Sequence, residues 1–271
     1  MSKFRSVVLL LLSALATVGV AAPPHGSHPT DTFQKTRPGK AIKNGIKLRI
    51  LCVGDSITAG FGDTDGNGYR QQLRKDLSKN KVVWAGTQLN ENSGMADGYH
   101  AGFPGKTIKY ITNHVGPSLK QQPNIILLAA GTNDMNSNTS TIAKDGNDPR
   151  EAAGRLGNLI DKITEECPDA VVLVSIIINA CDSHHAQRER TKQYQKLIPG
   201  IFRQRRQKGK HVVAVDFSRW EEAGHDLLRD CVHPTDDAYD LMGDWWYSFI
   251  TKVDGAWIQG PRGKDPDRDK K

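Results

Sequence analysis

Arg49-Ile50-Leu51-Cys52-Val53-Gly54-Asp55-Ser56-Ile57-Thr58 is the stretch that decides the fold. An apolar run of strand-favouring residues ends in Gly-Asp-Ser, and after a glycine-rich loop (Gly60, Gly62, Gly66, Gly68) a helical pattern begins near Tyr69. Strand-then-loop turns of this kind present a side chain at the carboxyl end of a parallel sheet, where open α/β folds bind ligands. Ser56 stands at that end. Taken alone, Asp55 and Ser56 are equally good turn formers, so the remaining polar clusters of the chain must decide between the two roles.

A second apolar run, Asn124 to Ala130, has the continuous pattern of a strand buried on both faces and stops at Gly131-Thr132-Asn133-Asp134. The amide of Asn133 can form a turn or donate to a developing oxyanion. Between these blocks lies the glycine-studded segment Ser93 to Thr107, containing His100-Ala101-Gly102-Phe103-Pro104-Gly105. Near the end comes Asp230-Cys231-Val232-His233-Pro234, just ahead of a helix start marked by Pro234 and acidic Asp236 and Asp237. An Asp three residues before a His is close enough to bond its Nδ1, leaving Nε2 to deprotonate a serine.

Five strand patterns (Lys47–Val53, Val82–Ala85, Asn124–Ala130, Ala170–Ile178, His211–Phe217) alternate with helical ones, which predicts an α/β domain with a parallel sheet. The helices are expected at Tyr69–Ser78, from Thr107, at Asp148–Cys167, at His184–Lys208 and from Thr235 to Ile250. With 271 residues, 37% of them hydrophobic, the chain can bury a full core.

Lys and Arg number 37 against 30 Asp and Glu, but the excess is spread out, which argues against a nucleic-acid partner. Lys3 and Arg5 followed by the apolar run Val7 to Ala22 form a signal-peptide pattern, too short to span a bilayer. The expected division is a signal peptide over 1–21, an extended arm over 22–46, a catalytic domain over 47–254 and a charged flexible tail over 255–271. The protein is thus expected to be secreted and extracellular, off the membrane, and monomeric. No Cys/His cluster has metal-ligand spacing, so no metal and no cofactor is expected.

The four blocks Gly54-Asp55-Ser56-Ile57-Thr58, the Gly102 loop, Gly131-Thr132-Asn133-Asp134 and Asp230-Cys231-Val232-His233-Pro234 resemble, in order, those of the SGNH or GDSL-like hydrolases. The His100–Gly105 loop is similar to that of carbohydrate esterase family 3, the acetyl xylan esterases, although that family commonly carries Glu where this chain has Ala101. The resemblance implies a three-layer α/β/α flavodoxin-like SGNH hydrolase fold with a five-stranded parallel sheet in the order 2-1-3-4-5. It implies Ser56 as nucleophile, His233 and Asp230 as its triad partners, and Ser56, Gly102 and Asn133 as oxyanion donors. The implied activity is deacetylation of xylan-type polysaccharide, with a lipid esterase and a non-catalytic carbohydrate-binding protein as alternatives.

Asp55, Asp97 and His100 are the residues expected to meet the substrate, with Asp63, Asp65, Asn67, Asn90, Asn92 and Tyr99 as further hydroxyl partners in an open groove. Of the four cysteines, Cys52 reads as a buried apolar residue inside its strand. Export permits disulfides, and Cys181–Cys231 is the pairing favoured, with both thiols free as the alternative. Asn138-Thr139-Ser140 is a glycosylation sequon.

Overall fold

A computed structural model of the chain describes residues 36–90, 93–219 and 227–268. The expected signal peptide lies outside the described residues. Six parallel strands make one sheet: β1 (Leu48–Gly54), β2 (Val82–Ala85), β3 (Ala101–Gly102), β4 (Ile125–Ala129), β5 (Val171–Ile176) and β6 (Val212–Asp216). Their order is β2-β1-β4-β5-β6, which is the expected 2-1-3-4-5 arrangement of the five long strands. The short β3 was not legible as a strand. It extends the edge that β2 begins, since β2 pairs Leu48 to Leu51 of β1 and β3 pairs Val53 and Gly54.

Every residue of β1, β4 and β5 is buried, and successive side chains enter opposite layers. Leu51, Val53, Ile126 and Leu128 join a cluster with helices α3 (Ile108–His114), α5 (Pro149–Glu166) and α6 (His185–Gln207). Ile50, Cys52, Ile125 and Leu127 join the other, with α2 (Tyr69–Asp76) and α7 (Asp236–Ile250). Two further short helices, α1 (Ser56–Ala59) and α4 (Gly116–Leu119), complete the set among the described residues. Local chemistry fixes the helix starts. Asp148 accepts from the Arg150 and Glu151 amides with Pro149 at the first helical position of α5, and Thr235 accepts from the Ala238 amide at the start of α7.

Residues 255–268 differ from the flexible tail that composition suggested. The guanidinium of Arg49, in β1 and 0% exposed, donates to the carbonyls of Gln121, Arg262 and Gly263 and to Asp265. Farther along, Arg268 bonds Asp97 and the Trp84 carbonyl and lies 3.6 Å from the Tyr99 ring centroid. A buried guanidinium needs acceptors, and this segment supplies them, so it is strapped along the sheet. The described part of the arm, 36–46, is likewise moored: Ile42 is buried, and the Asn80 side chain bonds its amide and its carbonyl.

Candidate active site

β1 and β4 pair in parallel, so the residues that follow their carboxyl ends emerge side by side at one end of the sheet. Ser56 opens α1 directly after β1, and Asn133 comes just after β4. Gly54 is required at the end of β1, because a Cβ there would come within 2.1 Å of the Ala129 carbonyl oxygen and 2.2 Å of the Thr58 hydroxyl.

The Ser56 Oγ lies 2.9 Å from Nε2 of His233, and the Nδ1 of His233 lies 2.7 Å from Oδ2 of Asp230. The other carboxylate oxygen of Asp230 accepts the amides of His233 (2.8 Å) and Val232 (3.1 Å), which fixes the turn. Burial alone would raise the pKa of Asp230. The His233 amide, the His233 ring and the Val232 amide outweigh it and hold the carboxyl below its ordinary range. The residue between, Cys231, has φ +69 and is joined by a disulfide to Cys181, whose amide also donates to the Cys231 carbonyl. Cys52 is a free, buried thiol pushed up to about 12 by burial, which leaves it unreactive.

Opposite the serine, Asn133 is buried and its side-chain amide donates to the Lys106 carbonyl at 3.0 Å. The neighbouring Asp134, fully buried, accepts from the Ile108 amide and from Arg155, so α3 and α5 both fix this corner. The Gly102 amide differs from expectation. It donates to Nδ1 of His100 at 3.0 Å, while the next amide, that of Phe103, donates to Gly54. Successive N–H groups on a strand point to opposite edges, so Gly102 is turned away from β1 and already has its acceptor. Gly105, three residues on in the turn that carries Lys106, has an amide that bonds no described residue.

The residues expected to meet substrate serve the fold instead. His100 is 1% exposed; burial, then the charge of Arg70, lowers its pKa to about 2, so it stays neutral and accepts from Gly102. Asp55 is 1% exposed and caps α1 by accepting the Ile57 amide. Asp97 accepts from the Trp84 amide and from Arg268. Among the hydroxyl candidates, Asp63 and Asp65 bond their own loop, Asn90 donates to the Ala59 and Gly66 carbonyls, Asn67 is fully buried, the ring of Tyr99 carries Arg268, and Asn92 lies outside the described residues. Short polar side chains in glycine-rich loops close turns on their own backbone, which spends the atoms a sugar would need.

Sequence reasoning missed Phe61. It is the one large exposed hydrophobic residue among those described (52%), and its ring centroid lies 4.6 Å from that of His233. Its amide donates to the Ser56 carbonyl and its carbonyl accepts from Tyr239, so the ring is fixed at the lip of the site. A lone Phe in a glycine-rich loop carries no pattern that would have revealed this. Among the described residues no three His, Cys, Asp or Glu side chains are grouped as a metal centre, and no helix is long and apolar enough to cross a membrane.

Comparison with known proteins gives the family and the fold. The GDSL-like Lipase/Acylhydrolase family matches residues 52–241. A multidomain esterase of Ruminococcus flavefaciens is 29% identical over 231 residues, which is 75% of this chain and 28% of that protein. A putative endoglucanase X of Acetivibrio thermocellus is 29% identical over 132 residues, 48% of this chain and 51% of that protein. The chain therefore spans between about a quarter and a half of the length of these curated relatives. Among solved structures, a family 3 carbohydrate esterase of Clostridium thermocellum superposes with a TM-score of 0.59 at 28% identity, covering 74% of this chain and 94% of that one. A family 3 carbohydrate esterase from Talaromyces cellulolyticus shares the fold (TM-score 0.59, 22% identity, 76% of this chain and 100% of that one).

Proposed function

This chain belongs to the GDSL-like lipase/acylhydrolase family and is a carboxylic ester hydrolase, and we propose that it removes acetyl groups from a xylan-type polysaccharide. The observation that carries the catalytic assignment is the unbroken chain Ser56 Oγ, His233 Nε2, His233 Nδ1, Asp230 Oδ2.

The Oγ of Ser56 attacks the ester carbonyl carbon while His233 takes its proton. The carbonyl oxygen becomes an oxyanion that rests on the Ser56 amide, a first-turn N–H of α1, and on the side-chain amide of Asn133. We assign the third donor to the Gly105 amide, because the Gly102 amide is held by His100. As the carbon–oxygen bond to the sugar breaks, His233 returns its proton to the departing hydroxyl, leaving acetyl-Ser56. Water then attacks, His233 accepts its proton, and acetate departs as Ser56 is reprotonated. Asp230 holds the imidazole orientation and stabilises its positive charge throughout.

The acetyl substrate is supported by likeness to the carbohydrate esterases. The leader pattern of residues 1–21 and the Cys181–Cys231 bridge support work outside the cell. The test is acetate release from acetylated xylan together with a p-nitrophenyl ester series. Release of acetate, with rates falling steeply beyond butyrate, is expected. A maximum at octanoate or longer, with no acetate from xylan, would make the enzyme a lipase.

A further inference from the structure

Asp63-Thr64-Asp65-Gly66-Asn67-Gly68 folds into a loop whose side chains, expected from the sequence to meet the sugar, close on the loop itself and take no part in the triad. We propose that it is a calcium site, with Asp63, Asp65 and Asn67 supplying the side-chain ligands.

The spacing fits such an ion. Oxygen-bearing side chains at positions 1, 3 and 5 with glycine at 6 form the leading half of a calcium loop, in which the glycine permits the sharp turn. Here Gly68 has φ +55 and a Cβ on it would come within 2.8 Å of the Gly60 backbone. The loop is closed as such a site requires: Asp63 Oδ2 accepts the Gly68 amide at 2.7 Å, and Asp65 Oδ1 accepts the Asn67 amide at 2.8 Å. Both carboxylates are thereby held within one turn of the loop, two residues apart.

Asn67 points to a ligand independently of the acidic pair. It is 0% exposed, its amide nitrogen donates to Gln71 at 2.8 Å, and its Oδ1 has no hydrogen-bond partner among the described residues. A buried acceptor left unpaired costs about 1 to 3 kcal/mol. Neither nearby guanidinium bonds Asn67: Arg70 donates through Nη1 and Nη2 to the Thr58, Ala59 and Gly66 carbonyls, and Arg229 donates to Asp236 and the Pro234 carbonyl. A hard cation satisfies all three oxygens at once.

The ligand chemistry selects the ion. Every donor is oxygen, which excludes a zinc-type site, and an irregular loop suits calcium better than the strict octahedron of magnesium. The glutamate that would complete a twelve-residue loop falls at Arg74, which is exposed and donates to the Ala96 carbonyl. Water must fill the remaining positions, so the site belongs to the weak, extracellular range of about 10⁻⁴ to 10⁻³ M. Its position gives it a use. The loop begins two residues after Phe61 and is tied through Thr64 to Asp236, at the start of α7, so a bound ion would stiffen the lip beside His233.

The test uses the intact protein stripped with EDTA and then titrated with calcium chloride. Equilibrium dialysis with radioactive calcium is expected to find one ion per chain, and the melting temperature is expected to rise by roughly 3 to 8 °C at 5 mM. Magnesium at the same concentration is expected to give less than a third of that shift. Asp65→Asn should weaken binding at least tenfold, and Asn67→Asp, which adds a carboxylate, should tighten it by about tenfold. No calcium retained by the wild type at 5 mM overturns the proposal, as does wild-type affinity in both variants.

Discussion

Cys231 stands one position after Asp230 and two before His233, and it is covalently bound to Cys181, which lies beyond β5 at the same end of the sheet. The acid and the base of the triad are therefore carried on a turn that is anchored in its middle. The double substitution Cys181→Ser/Cys231→Ser is expected to cost about 2 to 4 kcal/mol, read as a fall in melting temperature of roughly 5 to 15 °C. Turnover should fall more than KM changes, since the turn positions His233 and does not bind the sugar. Unchanged kcat in the doubly substituted protein would show that hydrogen bonding alone holds the turn.

Ser56→Ala and His233→Ala should each abolish ester hydrolysis while the circular dichroism spectrum stays that of the wild type. Asp230→Asn keeps the geometry but removes the charge that holds the imidazole tautomer, and kcat is expected to drop by about 10³- to 10⁴-fold. Steady-state kinetics on p-nitrophenyl acetate measure this, and a loss of less than tenfold contradicts the triad.

Asn133→Ala removes one oxyanion donor and should lower kcat by about 10²- to 10³-fold. The same kinetics on His100→Ser test the amide assignment. If the Gly102 amide serves only the loop, this variant loses stability while kcat stays within about tenfold, far from the loss expected for a missing donor.

Asp55 offers a pH prediction with a definite sign. Burial, opposed by the Ile57 amide, raises its carboxyl from 3.8 to about 6 in the folded protein. Between these values the unfolded chain has lost the proton that the native state keeps, so stability falls as pH rises from about 4 to about 6 and the penalty is complete above that. Asp55→Asn still caps α1 but carries no charge. Relative to the wild type it should gain about 1 to 3 kcal/mol above pH 6 and nothing near pH 4, seen by comparing melting temperatures across that range. Parallel curves would show that Asp55 ionises normally.

Deletion of residues 262–271 strips Arg49 of its bonds to Arg262, Gly263 and Asp265 and leaves it with the Gln121 and Gln122 carbonyls. A buried cation that loses its charged partner costs about 3 to 5 kcal/mol, so denaturant melts of the shortened protein should show a loss of that order. Arg49→Met in the shortened background should recover part of it.

The long strands were legible because burial on both faces demands continuous apolar runs, as in Leu48 to Val53 and Ile125 to Ala129. Ser56 and Asn133 stood out because polar clusters end those runs. Amide direction was not legible. Whether Gly102 or Gly105 faces the serine depends on the two-residue pairing of β3 with β1, which leaves no periodic trace. The strap after residue 254 looked disordered because its charges serve a partner in β1, far away in the chain. Asp97, His100 and Asp55 have the chemistry of substrate ligands, and only the fold shows that those atoms are spent on a β2 amide, a β3 amide and a helix cap.

The mooring of Arg49 also sets an order of events in time. Its guanidinium is translated with β1, yet the acceptors at Arg262 and Asp265 come 213 and 216 residues later. While the chain grows from the ribosome, the nascent sheet carries a cation that has nowhere dry to go. The central strand can be sealed only after Arg262 and Asp265 have emerged, so this step of folding waits for the segment that follows α7 rather than for the strands around it.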